Sequence, residues 1–148
     1  MESRGTVILI RHADVNGVAS ASTLLNEAGR TRANALREVL ASADAGQIVV
    51  SQTRRSRETA QPLATLLGID PDITGGEDVA AAIPLVIAAV GVLPASSVTL
   101  VVEHSRTLPN IIRGLGGPVI RPLMRRRSIT SSYRLVRGTS VVMQSRGN

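Results

Sequence analysis

The chain has 148 residues, a formal net charge of +6 and no cysteine. This length predicts one domain, residues 1–148, built around a single core. Without thiols there is no disulfide framework, no thiolate nucleophile and no cysteine-based zinc site. Two histidines are too few for a histidine-rich metal cage. The positive charge is carried by arginine alone, and it favours an anionic partner such as nucleic acid, an acidic membrane or a phosphorylated small molecule.

Two of these partners are disfavoured by what the sequence lacks. Tyr133 is the one aromatic residue, so there is no stacking platform for single-stranded nucleic acid. No apolar stretch is long enough to span a bilayer, and the apolar run that follows residues 1–5 is too short for a secretory signal. We therefore expect a cytoplasmic protein with a phosphorylated partner and with no nucleic-acid or membrane partner.

Short apolar runs alternate with helical patterns along most of the chain. The runs 7–10, 48–50 and 98–102 are typical of buried strands. Helices are predicted from an N-cap at Asn26 as far as Gly46, over 54–67 with a stop at Gly68, over 78–92 and over 108–115. A loop is predicted around Pro71 and residues 75–76.

Beyond Pro118 the pattern changes, and the runs 132–136 and 139–143 predict a hairpin that turns at residues 137–138. Strands that alternate with helices predict an α/β fold. The expected architecture is a three-layer α/β/α sandwich with a mostly parallel central sheet.

Polar residues follow three of the predicted strands. His12, Ser51 and His104 each come just past a strand, and the carboxyl ends of parallel strands share one edge of a sheet. Arg11 and the arginine pair at 54–55 lie at the same edge, where a helix begins and its free amides favour an anion.

These groups together suit a phosphate dianion. Guanidinium groups bind phosphate through charge-assisted, fork-shaped hydrogen bonds. One neutral imidazole can attack phosphorus, while the other can stabilise the charge that spreads over its oxygens. Such a site needs neither a metal nor a cofactor, because the arginines neutralise the phosphate.

Four sequence blocks resemble the histidine phosphatase superfamily, which includes the cofactor-dependent phosphoglycerate mutases. The blocks are the strand ending in Arg-His at 7–13, the helix start at 25–33, the Ser-x-x-x-Arg segment at 51–60 and the second-histidine strand at 101–105. The likeness extends from Thr6 to about Gly117. It implies a phosphoglycerate mutase-like fold and a place among the short, single-domain phosphatases.

The resemblance also implies a role for each matching residue. His12 would be the nucleophile and would form a phosphohistidine that water then hydrolyses. Arg11, Arg55 and His104 would bind the phosphate, and the register selects the second arginine of the 54–55 pair. Ser105 would add its backbone N–H to the phosphate pocket.

Five residues depart from the family pattern, among them Ala13 in place of glycine and Asn26 in place of threonine. Thr53 and Ser56 stand where leucine and alanine are usual, which makes that turn more polar. Glu103 stands where a small residue usually precedes the second histidine. Because side chains alternate along a strand, we expect Glu103 to point away from His104 and to pair with an arginine.

The proton donor for the leaving group is the least defined part of the prediction. One branch of the family has an aspartate directly after the second histidine, but Ser105 occupies that position here. Another branch has a glutamate after the second helix, and Glu77 is the best match to it, ahead of Asp78 and of Asp14 beside His12.

The sequence therefore predicts a phosphatase that hydrolyses a small phosphomonoester, or a protein phosphohistidine, as a monomer or homodimer. A phosphoglycerate-type mutase and a phosphate- or phosphoprotein-binding module without turnover are the alternatives. A nucleic-acid-binding domain is a weaker rival, because the basic run at 125–127 is more typical of a solvated face.

Overall fold

A computed structural model describes residues 6–17, 20, 22–74, 79–90, 97–104, 106–115, 129–136 and 139–146, and for 79–80, 129–136 and 139–146 it describes the backbone only. The elements are, in chain order, β1 (Thr6–Arg11), α1 (Glu27–Leu40), β2 (Ala45–Ser51), α2 (Arg54–Leu67), β3 (Asp72–Thr74), α3 (Val79–Val90), β4 (Val98–Glu103), α4 (Leu108–Gly114), β5 (Ile129–Val136) and β6 (Thr139–Arg146).

The six strands form one sheet in the order β3-β2-β4-β1-β5-β6. The first four strands run parallel, and β5 and β6 join the β1 edge as an antiparallel hairpin. The mostly parallel α/β sheet predicted from the sequence is thus confirmed. Its parallel part brings the carboxyl ends of β1, β2 and β4 to one edge.

Apolar side chains cover both faces of the parallel strands, which makes the fold a three-layer sandwich. On one face, α3 and α4 contribute Val86, Val90, Leu108, Ile111 and Ile112. On the other face, α1 and α2 contribute Leu40, Ala60, Leu63 and Ala64. The strand residues between them are almost wholly apolar, as expected for strands buried on both sides.

The ends of the first two helices follow the expected chemistry. The Asn26 side chain accepts a hydrogen bond from the amide of Gly29 at 2.8 Å and caps α1. Helix α2 begins at Arg54 and ends at Leu67, and the next residue, Gly68, adopts the left-handed conformation with φ of 66°. Both boundaries of α2 are therefore confirmed.

Two boundary predictions were wrong. Helix α1 ends at Leu40 rather than near Gly46, because Asp44 turns the chain at a φ of 58° and Gly46 already lies in β2, where the register with β4 shifts. The loop expected at Pro71 contains the short strand β3, which pairs with β2. Three residues at a sheet edge, two of them exposed, are too few to show a pattern in the sequence.

The hairpin after Pro118 is present and longer than predicted, although its turn at residues 137–138 lies outside the described residues. The described part of helix α3 runs from Val79 to Val90, and the expected ends at 78 and 91–92 lie outside the described residues. Across the described residues, none of the helices combines the length and apolar character needed to cross a membrane.

Gly29 of α1 provides a test of how the loop between β1 and α1 packs against this helix. A Cβ at Gly29 would overlap the backbone oxygen of Asp14, which accepts a hydrogen bond from the amide of Asn26 at 2.9 Å. Gly29→Ala should therefore lower the free energy of unfolding by about 1–3 kcal/mol, measured by urea denaturation.

Gly46→Ala is the matched control, because a Cβ at Gly46 meets no atom within 4 Å. Equal stability of the two variants would contradict the close approach of α1 to this loop.

Candidate active site

The two histidines lie side by side because the strands that carry them are in register. Arg11 of β1 pairs with Glu103 of β4, and the amide of His12 donates to the Glu103 carbonyl at 3.0 Å. His12 and His104 therefore leave the sheet at the same level. Their ring centroids are 5.1 Å apart, with an interplanar angle of 61°.

A backbone carbonyl fixes the tautomer of His12. Nδ1 of His12 lies 2.8 Å from the carbonyl oxygen of Ala13. A carbonyl oxygen only accepts, so Nδ1 carries the proton and Nε2 has a free lone pair. Two hydrogen bonds hold the chain after β1 against α2. The Ala13 amide donates to the Thr59 hydroxyl, and this hydroxyl donates to the carbonyl of Arg55.

Arg55 bridges the two imidazoles. Its Nε donates to Nε2 of His12 at 3.2 Å, and its Nη2 lies 3.5 Å from Nδ1 of His104. Its Nη1 donates to the carbonyl of Ser20 at 2.6 Å. The neighbouring Arg54 is exposed and pairs with Glu58 at 3.2 Å. The structure thus brings Arg55 to the histidines and leaves Arg54 outside.

Arg11 completes the basic character of this edge. Its charge lowers the pKa of His12, of His104 and of Arg55, although in each case burial has the larger effect. The four groups that the sequence predicts at one sheet edge are therefore close enough to act on one another.

Burial keeps both imidazoles neutral at physiological pH. Desolvation, together with the nearby positive charges, lowers the pKa of His12 to about 4 and that of His104 to about 3. A neutral imidazole at His12 has the lone pair that a nucleophile needs. Desolvation also lowers the pKa of Arg55, which nonetheless stays cationic.

A buried hydroxyl cluster, made of Ser51, Thr53 and Ser56, contacts the edge of the His104 ring that faces away from Arg55. Nε2 of His104 lies 2.9 Å from Oγ of Ser51, and the Ser51 hydroxyl donates to that of Ser56 at 2.9 Å. Sequence reasoning did not assign this contact. The polar residues Thr53 and Ser56, which stand where the family pattern has leucine and alanine, were the sequence feature that could have indicated this cluster.

Glu103 points away from the histidines as expected, but it does not pair with an arginine. The carboxyl is fully buried, Oε2 accepts from the Thr107 hydroxyl at 3.2 Å, and Oε1 has no hydrogen-bond partner among the described residues. The expected ion pair was wrong because the strand turns this side chain toward the start of α4. Desolvation raises the pKa of Glu103 to about 7.

The predicted proton donors are not brought to the site by the described chain. Asp14 pairs with Arg32 at 3.2 Å rather than with a histidine. Glu77 and Asp78 lie outside the described residues, as do Ser105 and the basic run at 125–127. Within the described ranges, no group of three or more His, Cys, Asp or Glu side chains is placed to hold a metal ion.

Comparison with known proteins supports the resemblance to the histidine phosphatase superfamily. The family model described as the histidine phosphatase superfamily, branch 1, matches residues 7–77. A search of curated protein sequences found no match to this chain.

Several solved structures share the fold at low sequence identity. The SixA protein of Agrobacterium tumefaciens is 18% identical with a TM-score of 0.65, covering 93% of this chain and 95% of its own. The protein histidine phosphatase SixA complexed with tungstate is 19% identical with a TM-score of 0.66, covering 94% and 95%. A mycobacterial glucosyl-3-phosphoglycerate phosphatase with bound VO3 is 20% identical with a TM-score of 0.69, covering 95% and 98%.

The buried carboxyl of Glu103 should make stability depend on pH. Its pKa is raised from 4.5 to about 7, so the folded protein holds a proton that the unfolded chain has lost between these values. The contribution of Glu103 to the free energy of unfolding should therefore fall as the pH rises through this window, by an amount on the order of 3 kcal/mol. The lowered pKa values of His12 and His104 add an opposite rise below pH 6.5, so the effect of Glu103 is taken from the difference between wild type and a Glu103 variant.

Glu103→Gln should remove this fall, and chemical denaturation of both proteins at pH 5 and pH 8 measures it. The exposed Glu38 offers the control variant Glu38→Gln, which should keep the wild-type slope. Parallel pH profiles for wild type and Glu103→Gln would contradict the burial of this charge.

Proposed function

With the resemblance to the histidine phosphatase superfamily confirmed over residues 7–77 and in the fold, we propose that this protein is a metal-independent phosphatase that works through a phosphohistidine on His12. The observation that carries the proposal is the state of His12. Its Nδ1 proton is held by Ala13, so a neutral Nε2 faces the guanidinium of Arg55 and the ring of His104.

In the first step Nε2 of His12 attacks the phosphorus of the substrate. A P–N bond forms as the bond from phosphorus to the leaving oxygen breaks. Proton loss from Nδ1 is not required, because the ring becomes a cationic phosphohistidine that the Ala13 carbonyl stabilises. The leaving oxygen takes a proton, for which Glu77 is the first candidate and Asp78 the second.

In the second step a water molecule attacks the same phosphorus. A P–O bond forms, the P–N bond breaks, and inorganic phosphate leaves as His12 returns to its neutral form. Both steps spread negative charge over the three equatorial oxygens. Arg11, Arg55 and His104 are the groups that stabilise this charge, with the backbone amide of Ser105 as a further donor.

Arg55 has to change partners during this cycle. In the structure its Nε donates to the lone pair of the nucleophile. A phosphate dianion is a far stronger acceptor than a neutral imidazole, so the guanidinium turns to the substrate and frees Nε2 for attack. The same group thus masks the nucleophile in the empty site and binds the substrate.

The substrate class proposed is a small phosphomonoester or a protein phosphohistidine. The solved proteins of similar fold include a protein histidine phosphatase and a glucosyl-3-phosphoglycerate phosphatase, so both classes are represented among them. These relatives support hydrolysis rather than transfer to a second position, as a mutase would require.

Replacing the nucleophile tests the mechanism. His12→Ala should lower kcat/KM for an aryl phosphate by more than about 10³-fold. Wild-type protein quenched during turnover should carry acid-labile, base-stable phosphate on His12, and treatment with EDTA should leave its rate unchanged. A fully active His12→Ala variant would contradict the proposal. Phosphate binding by the wild type without turnover would identify a binding module instead.

Replacing the bridging arginine tests the phosphate pocket. Arg55→Ala removes charge-assisted hydrogen bonds worth about 1.5–3 kcal/mol each and should raise the Kd for inorganic phosphate about 10- to 100-fold, measured by calorimetry. Arg54→Ala is the matched control, because Arg54 is exposed and pairs with Glu58. Equal Kd values for the two variants would mean that Arg55 does not bind phosphate.

A further inference from the structure

The hydroxyl cluster of Ser51, Thr53 and Ser56 is too well buried to be a solvated turn. The three residues are only 3%, 6% and 0% exposed. Oγ of Ser51 lies 2.9 Å from Oγ1 of Thr53 and 2.9 Å from Oγ of Ser56, and the last two atoms are 3.2 Å apart. Three hydroxyls packed in this way form a closed hydrogen-bonding unit.

The cluster contacts the site through one atom of His104. Nε2 lies 2.9 Å from Oγ of Ser51 and 3.5 Å from Oγ1 of Thr53. Nδ1, on the other side of the same ring, faces Nη2 of Arg55 at 3.5 Å. One edge of His104 thus faces the hydroxyls, and the other faces the guanidinium that is proposed to bind phosphate.

The partners of the two nitrogens determine the tautomer of the empty site. A guanidinium only donates, so Nδ1 presents its lone pair to Arg55. A neutral imidazole has a single N–H, which must then be on Nε2 and donate to Ser51. The Ser51 hydroxyl in turn donates to Ser56, so each group has a partner.

A phosphate in the pocket reverses this requirement. An unprotonated phosphate oxygen at the Nδ1 edge only accepts, so a neutral His104 that binds it must carry its proton on Nδ1. Nε2 then becomes an acceptor and needs a donor behind it. A carboxylate or a carbonyl could not donate there and an amide N–H could not have accepted before, whereas a hydroxyl can do both.

We propose that Ser51, supported by Thr53 and Ser56, is a positioning residue that lets His104 exchange tautomers when phosphate enters. One proton leaves Nε2 to solvent and another reaches Nδ1 from solvent, so the ring stays neutral. The Ser51 hydroxyl rotates to donate to Nε2 and accepts instead from Thr53, whose hydroxyl and amide both lie within reach. This inference rests on the proposed function.

The tautomer can be observed directly, because His12 and His104 are the only two histidines of the chain. In protein labelled with ¹⁵N-histidine at pH 7, the spectrum contains four ring nitrogens, and His12→Ala assigns the two of His104. In the free protein we expect the proton of His104 on Nε2. Saturation with inorganic phosphate should move it to Nδ1. An unchanged tautomer, or a ring protonated on both nitrogens, would overturn the proposal.

Kinetics of three variants complete the test. Ser51→Ala should lower kcat about 10- to 100-fold with little change in KM, a range typical of residues that orient an active-site group. Ser51→Thr keeps the hydroxyl and should restore most of the rate. Thr99→Val is the matched control, since it deletes another buried hydroxyl, bonded to Gln47 in the same sheet, and should keep wild-type kcat.

Equal kcat for Ser51→Ala and Thr99→Val would overturn the role of Ser51. Failure of the proposed function is distinguishable, because it appears as absent turnover by the wild type, whereas the tautomer of the free protein is measured without substrate.

Discussion

Backbone hydrogen bonds between β1 and β4 extend beyond the strands as far as His12, whose amide donates to the Glu103 carbonyl. This register brings two residues that are distant in sequence to the same level of one sheet edge. A slip of a single residue would turn one imidazole to the opposite face, because side chains alternate along a strand. The apolar residues buried on both faces hold the register, so the core positions the site.

Burial and positive charge act in the same direction at this edge. Desolvation keeps His12 and His104 uncharged, and neutral rings do not repel Arg11 and Arg55. If either ring were an imidazolium, it would oppose the gathering of two guanidiniums. The low pKa values of the histidines and the concentration of arginines are therefore two aspects of one arrangement.

The sequence predicted those features that leave a repeated or local pattern. Alternating apolar runs and helical spacing predicted the parallel sheet, and the frame of the 51–60 block selected Arg55 over Arg54. It could not predict what depends on three-dimensional neighbours. To predict the hydroxyl cluster, one must know that Ser51 faces His104 in the folded protein. To predict the partner of Glu103, one must know where the chain turns after β4.

Pairs of neutral imidazoles are also attractive to transition-metal ions, for which histidine is the commonest protein ligand. The ring centroids of His12 and His104 are 5.1 Å apart. Arg55 places its fixed positive charge between their nitrogens. The positive charge of this side chain therefore opposes the binding of a divalent cation between the two rings, whereas the same charge favours an anion there.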